Sequence, residues 1–202
     1  MYALSFLFAM NKLVWTINQI NDHYLGLCFS NVGLYACTIP HSSLDHLKRS
    51  ISDYGIGTEI NESTPDPEID ELRNFFSKLI WRRWKGVDDY IDQNLSLDFT
   101  GYSQKQVHVL KTSSMIPYGE VLSYGKLAEK AGFPRAARFV GTCMAKNRFP
   151  LIFPCHRVTR ANSLGRYGNS PESSEVKRLL LEREGVDVAR LFSRRKIIQT
   201  PI

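Results

Sequence analysis

The chain has 202 residues, of which 43% are apolar and 23% charged, and its formal net charge at neutral pH is +6. These values exclude a disordered polyelectrolyte and a collagen-like repeat, and they suit one compact domain or two small ones with a real core. The positive balance fits a polyanionic partner such as DNA or RNA without requiring one.

The opening stretch, Met1 to Met10, is apolar but lacks a basic leader and a small-residue cleavage site, and it is too short to span a bilayer. A strand is expected there. Residues 13–39 read as two β-rich stretches around a turn, with Tyr24–Phe29 and Leu34–Ile39 flanking Ser30–Gly33 as a hairpin. Ser42 or Ser43 is placed to cap a short helix ending at Ser50. Residues 53–67, with Gly55, Gly57, Pro65 and Pro67, read as a linker or loop. Ile69, Leu72, Phe75, Phe76, Leu79 and Ile80 recur at helical spacing, and Trp81–Lys85 ends that helix. This aromatic and basic cluster reads as packed tryptophans with solvated arginines; contact with nucleic acid is the other reading.

The texture changes near residue 96. Gln104–Met115 reads as a helix with Val107, Leu110 and Met115 on its apolar side, and Pro117–Glu120 as a turn. Ser123 is an N-cap for a helix over Leu127–Ala131, which Gly132-Phe-Pro134 stops. Arg135–Ala145 follows as a second helix with Ala136, Val140 and Met144 on one face. Two short helices around a Gly-containing turn make a helix-turn-helix candidate. Leu151–Phe153 reads as a short buried strand between Pro150 and Pro154. Ala161–Asn169 is a loop, and Glu172–Glu184 a helix with Val176, Leu179 and Leu180 inward and Gly185 ending it. The tail, with Arg190, Arg194, Arg195 and Lys196, reads as a solvated basic extension. The fold class is therefore α/β: a small N-terminal domain with a β-sheet and connecting helix over residues 1–95, then a mostly helical domain over 96–202 with the helix-turn-helix.

Four cysteines occur, Cys28, Cys37, Cys143 and Cys155, none in a C-x-x-C pair. A disulfide framework is not indicated, and an intracellular setting, cytoplasm or nucleus, is expected. The informative segment is Pro154-Cys155-His156-Arg157-Val158. A thiolate is the nucleophilic form of cysteine, and a neighbouring base or cation favours it. Lowering a thiol to a pKa of about 5 raises its thiolate fraction at neutral pH only about 30-fold, roughly 2 kcal/mol. Positioning must therefore supply more. Adjacent strand residues point to opposite faces, so Cys155 and His156 cooperate only if the chain turns there or a water bridges them. Taken alone, the dipeptide reads first as a small buried hydrophobe beside a satisfied histidine.

The segments Tyr118–Tyr124, Pro134–Arg138, Asn147–Pro150, Pro154–Val158, Gly165–Tyr167 and Lys177–Glu184 occur in this order at short spacings. Together they closely resemble the DNA-binding and active-site domain of the O6-alkylguanine-DNA alkyltransferases, over about residues 95–185. The resemblance implies direct-reversal repair of double-stranded DNA by a monomer without a cofactor. A flipped-out O6-alkylguanine would transfer its alkyl group once and irreversibly to Cys155. It implies that His156 accepts the thiol proton through a water, that Glu184 orients the imidazole, and that Tyr124 donates to guanine ring nitrogen 3. It further implies that Arg138 fills the gap left by the base, with Arg135 beside it on the DNA, and that Asn147 ties the second helix to the active-site turn. The Cys155 and Val158 carbonyls would read the guanine amino group, and Tyr167 and Gly168 would close over the base.

Three departures from the family pattern stand out. The loop between Val158 and Tyr167 is one residue shorter than in many relatives. Tyr167-Gly-Asn-Ser-Pro171 replaces the usual Gly-Gly pair, and Ser103 and His108 occupy positions where relatives carry aromatics. The spacings of His23, Cys28, Cys37 and His41 match no standard zinc pattern, so no metal is expected. The rival readings are a non-repairing alkyltransferase-like protein that binds the lesion, a helix-turn-helix regulator, and a multiple-turnover cysteine hydrolase.

Overall fold

The computed structural model describes residues 13–55, 59–60, 67–87, 94–165, 167 and 173–193. The segments expected at Met1–Met10 and beyond residue 193 lie outside these residues. The chain divides into two compact units. One holds residues 1–101 with 148–150, and the other residues 102–147 with 151–202.

In the first unit a four-stranded sheet runs in the order β3-β2-β1-β4. Strands β1 (Val14–Ile20), β2 (His23–Phe29) and β3 (Leu34–Cys37) are antiparallel neighbours, while β4 (Glu59–Ile60) lies parallel to β1. The expected hairpin is present, with the Ser30 amide donating to the Gly33 carbonyl at 2.9 Å. Two details differ from expectation. A third strand, β1, precedes the hairpin, and the presumed linker contains β4, because two residues suffice to pair with the edge of β1. Helix α1 (Leu44–Asp53) runs past Ser50 because Leu47 and Ile51 continue its buried stripe against Trp15, Cys28 and Ala36. Ser43 holds the N-cap position, but its side chain makes no capping hydrogen bond. Helix α2 (Pro67–Trp84) buries Ile69, Phe76, Leu79, Ile80 and Trp84.

In the second unit, α3 (Gln104–Ser113) starts at a full capping box between Ser103 and Gln106. Its buried residues are Val109, Leu110, Thr112 and Ser113, whereas Met115 is 62% exposed, contrary to the expected stripe. The helix stops at Ser113, so Met115 falls outside its period. Strand β5 (Leu122–Ser123) leads directly into α4 (Tyr124–Lys130), whose Lys126 amide is capped by Ser123 Oγ at 3.2 Å. This helix begins three residues earlier than expected, straight after its cap. A turn over residues 131–136 leads to α5 (Ala137–Ala145), which buries Val140, Cys143 and Met144. Arg135 stands outside α5 in the left-handed region at φ 66°, so the second helix starts later than the pattern suggested.

Leu151–Phe153 is buried as expected but is not a strand. Leu151 has φ 70°, and the chain turns into a 3-10 turn over Cys155–Arg157, followed by β6 (Val158–Thr159) parallel to β5. Helix α6 (Ser173–Arg183) buries Lys177, Leu180 and Leu181, while Leu179 is exposed, so its inward stripe is turned by one residue from the expected one. The tail begins with a short helix, α7 (Val188–Ser193), on which Arg190 is exposed. Among the described residues no helix is long and apolar enough to cross a membrane.

Gly33 has φ 150°, and a Cβ there would lie 2.2 Å from the Ser96 carbonyl oxygen. Gly33→Ala is expected to cost about 3 kcal/mol or more in urea unfolding. At Gly55, with φ 61° and nothing within 4 Å of a built Cβ, the same change is expected to cost about 1 kcal/mol.

Candidate active site

Every group that converges on Cys155 belongs to the second unit. Pro154 has no amide proton to donate, and the Cys155 amide instead closes a tight turn onto the Phe153 carbonyl at 2.8 Å. The 3-10 turn then sends Cys155 and His156 around one bend rather than to opposite faces of a strand. Asn147, just past α5, donates from Nδ2 to the Phe153 carbonyl at 2.8 Å and to Cys155 Sγ at 3.2 Å. One side-chain amide therefore fixes the turn and touches the sulfur.

Cys155 is 9% exposed. Burial pushes its thiol above the ordinary range, opposed by the Asn147 hydrogen bond, the Lys177 charge and the Tyr167 hydroxyl. The resting sulfur is thus a neutral thiol, not the pre-ionised thiolate that a cysteine beside a histidine suggests. Among the described residues no direct hydrogen bond joins Sγ to the His156 ring.

Glu184, one residue beyond α6, organises the surroundings. One carboxylate oxygen lies 2.7 Å from His156 Nε2. Arg157 grips the same carboxylate through Nε at 3.1 and 2.9 Å and through Nη2 at 3.0 Å, while its Nη1 donates to the Ile116 carbonyl at 2.8 Å. The Gly119 amide donates to the other carboxylate oxygen at 3.3 Å, and Tyr118 Oη donates to the Arg183 carbonyl at 2.9 Å. His156, Arg157 and Glu184 are all buried. Burial alone would raise the Glu184 pKa, but the hydrogen bonds from His156 and Arg157, with the Arg157 charge, bring it down to about 2. A carboxylate ionised at neutral pH can only accept, so His156 Nε2 carries the proton. Burial lowers the proton affinity of His156, against the pull of Glu184. The ring is therefore neutral, with its lone pair on Nδ1, an atom without a hydrogen-bond partner among the described residues.

Lys177 is fully buried, and its Nζ donates to the Val158 carbonyl at 2.6 Å. Burial lowers its pKa to about 8, so it remains mainly charged at neutral pH and favours negative charge on Cys155. No role was read from the sequence for Lys177 or Arg157. The available signal was helical: positions 177, 180, 181 and 184 share one face of α6, and the two leucines among them are buried.

The remaining expected residues fall into two groups. Tyr124, the first residue of α4, is half-buried, and burial first and the nearby Cys155 second make it hold its proton more tightly, while Tyr167 meets the His156 ring edge-on at 6.5 Å. The Cys155 carbonyl accepts from the Val158 amide and the Val158 carbonyl from Lys177, leaving each a second lone pair. Arg135 and Arg138 are exposed at the start of α5 and make no hydrogen bond into the cluster. Gly168 lies outside the described residues. His108 meets Phe133 edge-on at 6.0 Å. Cys28 is buried and its thiol is pushed up to about 12, and among the described residues no group of three or more potential ligands could hold a metal ion.

Residues 104–186 match the model of the 6-O-methylguanine DNA methyltransferase DNA-binding domain. The methylated-DNA–protein-cysteine methyltransferase of Methanocaldococcus vulcanius is 32% identical over 173 residues, covering 84% of this chain and 96% of the relative. That of Sulfurisphaera tokodaii is 38% identical over 126 residues, covering 62% of this chain and 75% of its own. The fold is similar to that of the O6-methylguanine-DNA methyltransferase of Pyrococcus kodakaraensis, with a TM-score of 0.64 at 24% identity over 86% of this chain and 99% of that one. Mycobacterium tuberculosis OGT, solved in complex with DNA, aligns with a TM-score of 0.56 at 28% identity over 89% and 99% of the two chains.

The pKa of Glu184, about 2 against an ordinary 4.5, stabilises the fold above the ordinary value, and this contribution is lost as pH falls from about 4.5 through about 2. Its size is on the order of 3 kcal/mol. His156, with a lowered pKa, begins to cost stability once pH drops below its ordinary 6.5. Unfolding measured against pH is expected to show both losses. Glu184→Gln is expected to abolish the lower one and to lower stability at pH 7 by about 3–5 kcal/mol, because the buried Arg157 loses its counter-charge.

Proposed function

The chain belongs to the methylated-DNA–protein-cysteine methyltransferase family, and from that premise we propose that Cys155 is the alkyl acceptor, with His156 its base and Glu184 the group that orients the base. The protein repairs DNA by direct reversal. It moves a methyl group from O6 of guanine to one of its own cysteines, and each molecule acts once. The observation that carries the assignment to Cys155 is the 2.7 Å contact of Glu184 with His156 Nε2, which leaves the Nδ1 lone pair for the neighbouring thiol.

The steps follow from this geometry. The Cys155 proton passes to His156 Nδ1 through a bridging water, since Sγ and the ring share no direct hydrogen bond. The Lys177 ammonium stabilises the thiolate as it forms. The sulfur lone pair bonds to the methyl carbon in line, the C–O6 bond breaks, and its electron pair stays on the purine. Tyr124 donates a hydrogen bond to ring nitrogen 3, and the proton released by Cys155 ends on the guanine. The thioether product is stable, so nothing restores the thiol. Helices α4 and α5 act as the helix-turn-helix, with Arg138 filling the space of the extruded base and Arg135 on the backbone. Asn147 holds the active-site turn to α5, the Val158 and Cys155 carbonyls read the guanine amino group, and Tyr167 with Gly168 closes the pocket. Residues 96–202 form the domain that carries this chemistry.

Incubation with duplex DNA containing O6-methylguanine, followed by intact-mass and peptide mapping, tests the assignment. One methyl group per protein molecule is expected, located on Cys155. Cys155→Ser is expected to bind the lesion but transfer nothing, and Tyr124→Phe to slow transfer about 10- to 100-fold. Tight lesion binding with an unmodified wild-type thiol would instead identify a non-repairing lesion-binding protein.

A further inference from the structure

The parallel pair β5–β6 sets Leu122 beside Val158 and Ser123 beside Thr159. One residue beyond this ladder, Tyr124 enters α4 and Arg160 enters the loop, so the register delivers the two side by side. The loop then folds back at Gly165. The point that a Cβ at Gly165 would occupy lies 3.4 Å from Arg160 Cγ and 3.6 Å from the Tyr124 hydroxyl. The Arg160 stem and the Tyr124 hydroxyl thus converge on one small space, which a side chain at position 165 would fill. Arg160 is exposed, and among the described residues its guanidinium has no hydrogen bond or ion pair. Lys177 Nζ lies 5.9 Å from the Tyr124 ring centroid.

We propose that Arg160 is a positioning residue for the alkyl transfer, its guanidinium polarising the Tyr124 hydroxyl toward ring nitrogen 3 of the departing guanine. The proposal rests on the reading of Tyr124 given above. When sulfur bonds to the methyl carbon and the C–O6 bond breaks, the electron pair left on the purine spreads onto ring nitrogen 3. The hydroxyl that meets this charge works against its surroundings. Burial and the nearby Cys155 hold the Tyr124 proton more tightly, and the Arg160 charge opposes them. Arg160 therefore makes the hydroxyl a stronger donor as charge develops. Tyr124 keeps its proton through the reaction, and the proton from Cys155 ends on the guanine.

The test uses single-turnover transfer by wild type, Arg160→Gln and Arg160→Lys on two duplexes. One contains O6-methylguanine, and the other its 3-deaza analogue, in which a C–H replaces ring nitrogen 3. On O6-methylguanine at saturating DNA, Arg160→Gln is expected to slow transfer about tenfold and Arg160→Lys to restore most of the rate, with lesion affinity within about twofold of wild type. On the 3-deaza duplex, wild type and Arg160→Gln are expected to react at the same, slower rate. Equal slowing on both duplexes would overturn the proposal, as would a loss confined to DNA affinity. If wild type alone reacts equally fast with both duplexes, the reading of Tyr124 fails first, and this proposal falls with it.

Discussion

One buried carboxylate ties together the segments around Cys155. Glu184 accepts from the His156 ring, twice from Arg157 Nε and once from Nη2, and from the Gly119 amide. These donors come from the 3-10 turn after Pro154 and from the turn before β5, and the acceptor comes from the end of α6. Three segments far apart in sequence therefore meet at one buried charge. Such a charge is tolerable only when fully paired, and Arg157 supplies the full opposite charge that a neutral imidazole does not. Arg157 thus lets Glu184 stay ionised without forcing a proton onto His156.

This division of charge fits a protein that acts once. A permanently ionised, exposed thiolate reacts with oxidants as readily as with damaged DNA. Here burial keeps Cys155 protonated, while the features needed to ionise it lie close by: a neutral imidazole with a free lone pair, the Asn147 amide on the sulfur, and a buried ammonium nearby. Ionising the thiol gives Lys177 a counter-charge, where among the described residues its ammonium otherwise has the Val158 carbonyl as its partner.

Much of this arrangement was legible in the sequence, and the gaps have physical causes. The hairpin around Ser30–Gly33, the cap at Ser123 and the stop at Gly132–Pro134 rest on local backbone chemistry, and they appear where local rules place them. Leu151–Phe153 reads as a strand from sequence because burial and short length do not separate a strand from a buried turn. The left-handed backbone of Leu151 is a tertiary demand that the side chain does not advertise. On α6, choosing the stripe by apolarity selected Val176, Leu179 and Leu180. The true inward face carries Lys177 and Glu184, two charged residues that a hydrophobicity count assigns to solvent. The same bias hid Arg157. Functional charges are buried only because each has found a partner distant in sequence, and such pairings are not visible one residue at a time.

The central claim is that Glu184 fixes His156 as a neutral ring with its proton on Nε2 and its lone pair on Nδ1. Nitrogen chemical shifts of the 15N-labelled imidazole at neutral pH, assigned with a His156→Gln control, measure this directly. The account predicts a protonated Nε2 and a bare Nδ1. An imidazolium at neutral pH, or a proton resident on Nδ1, would contradict it.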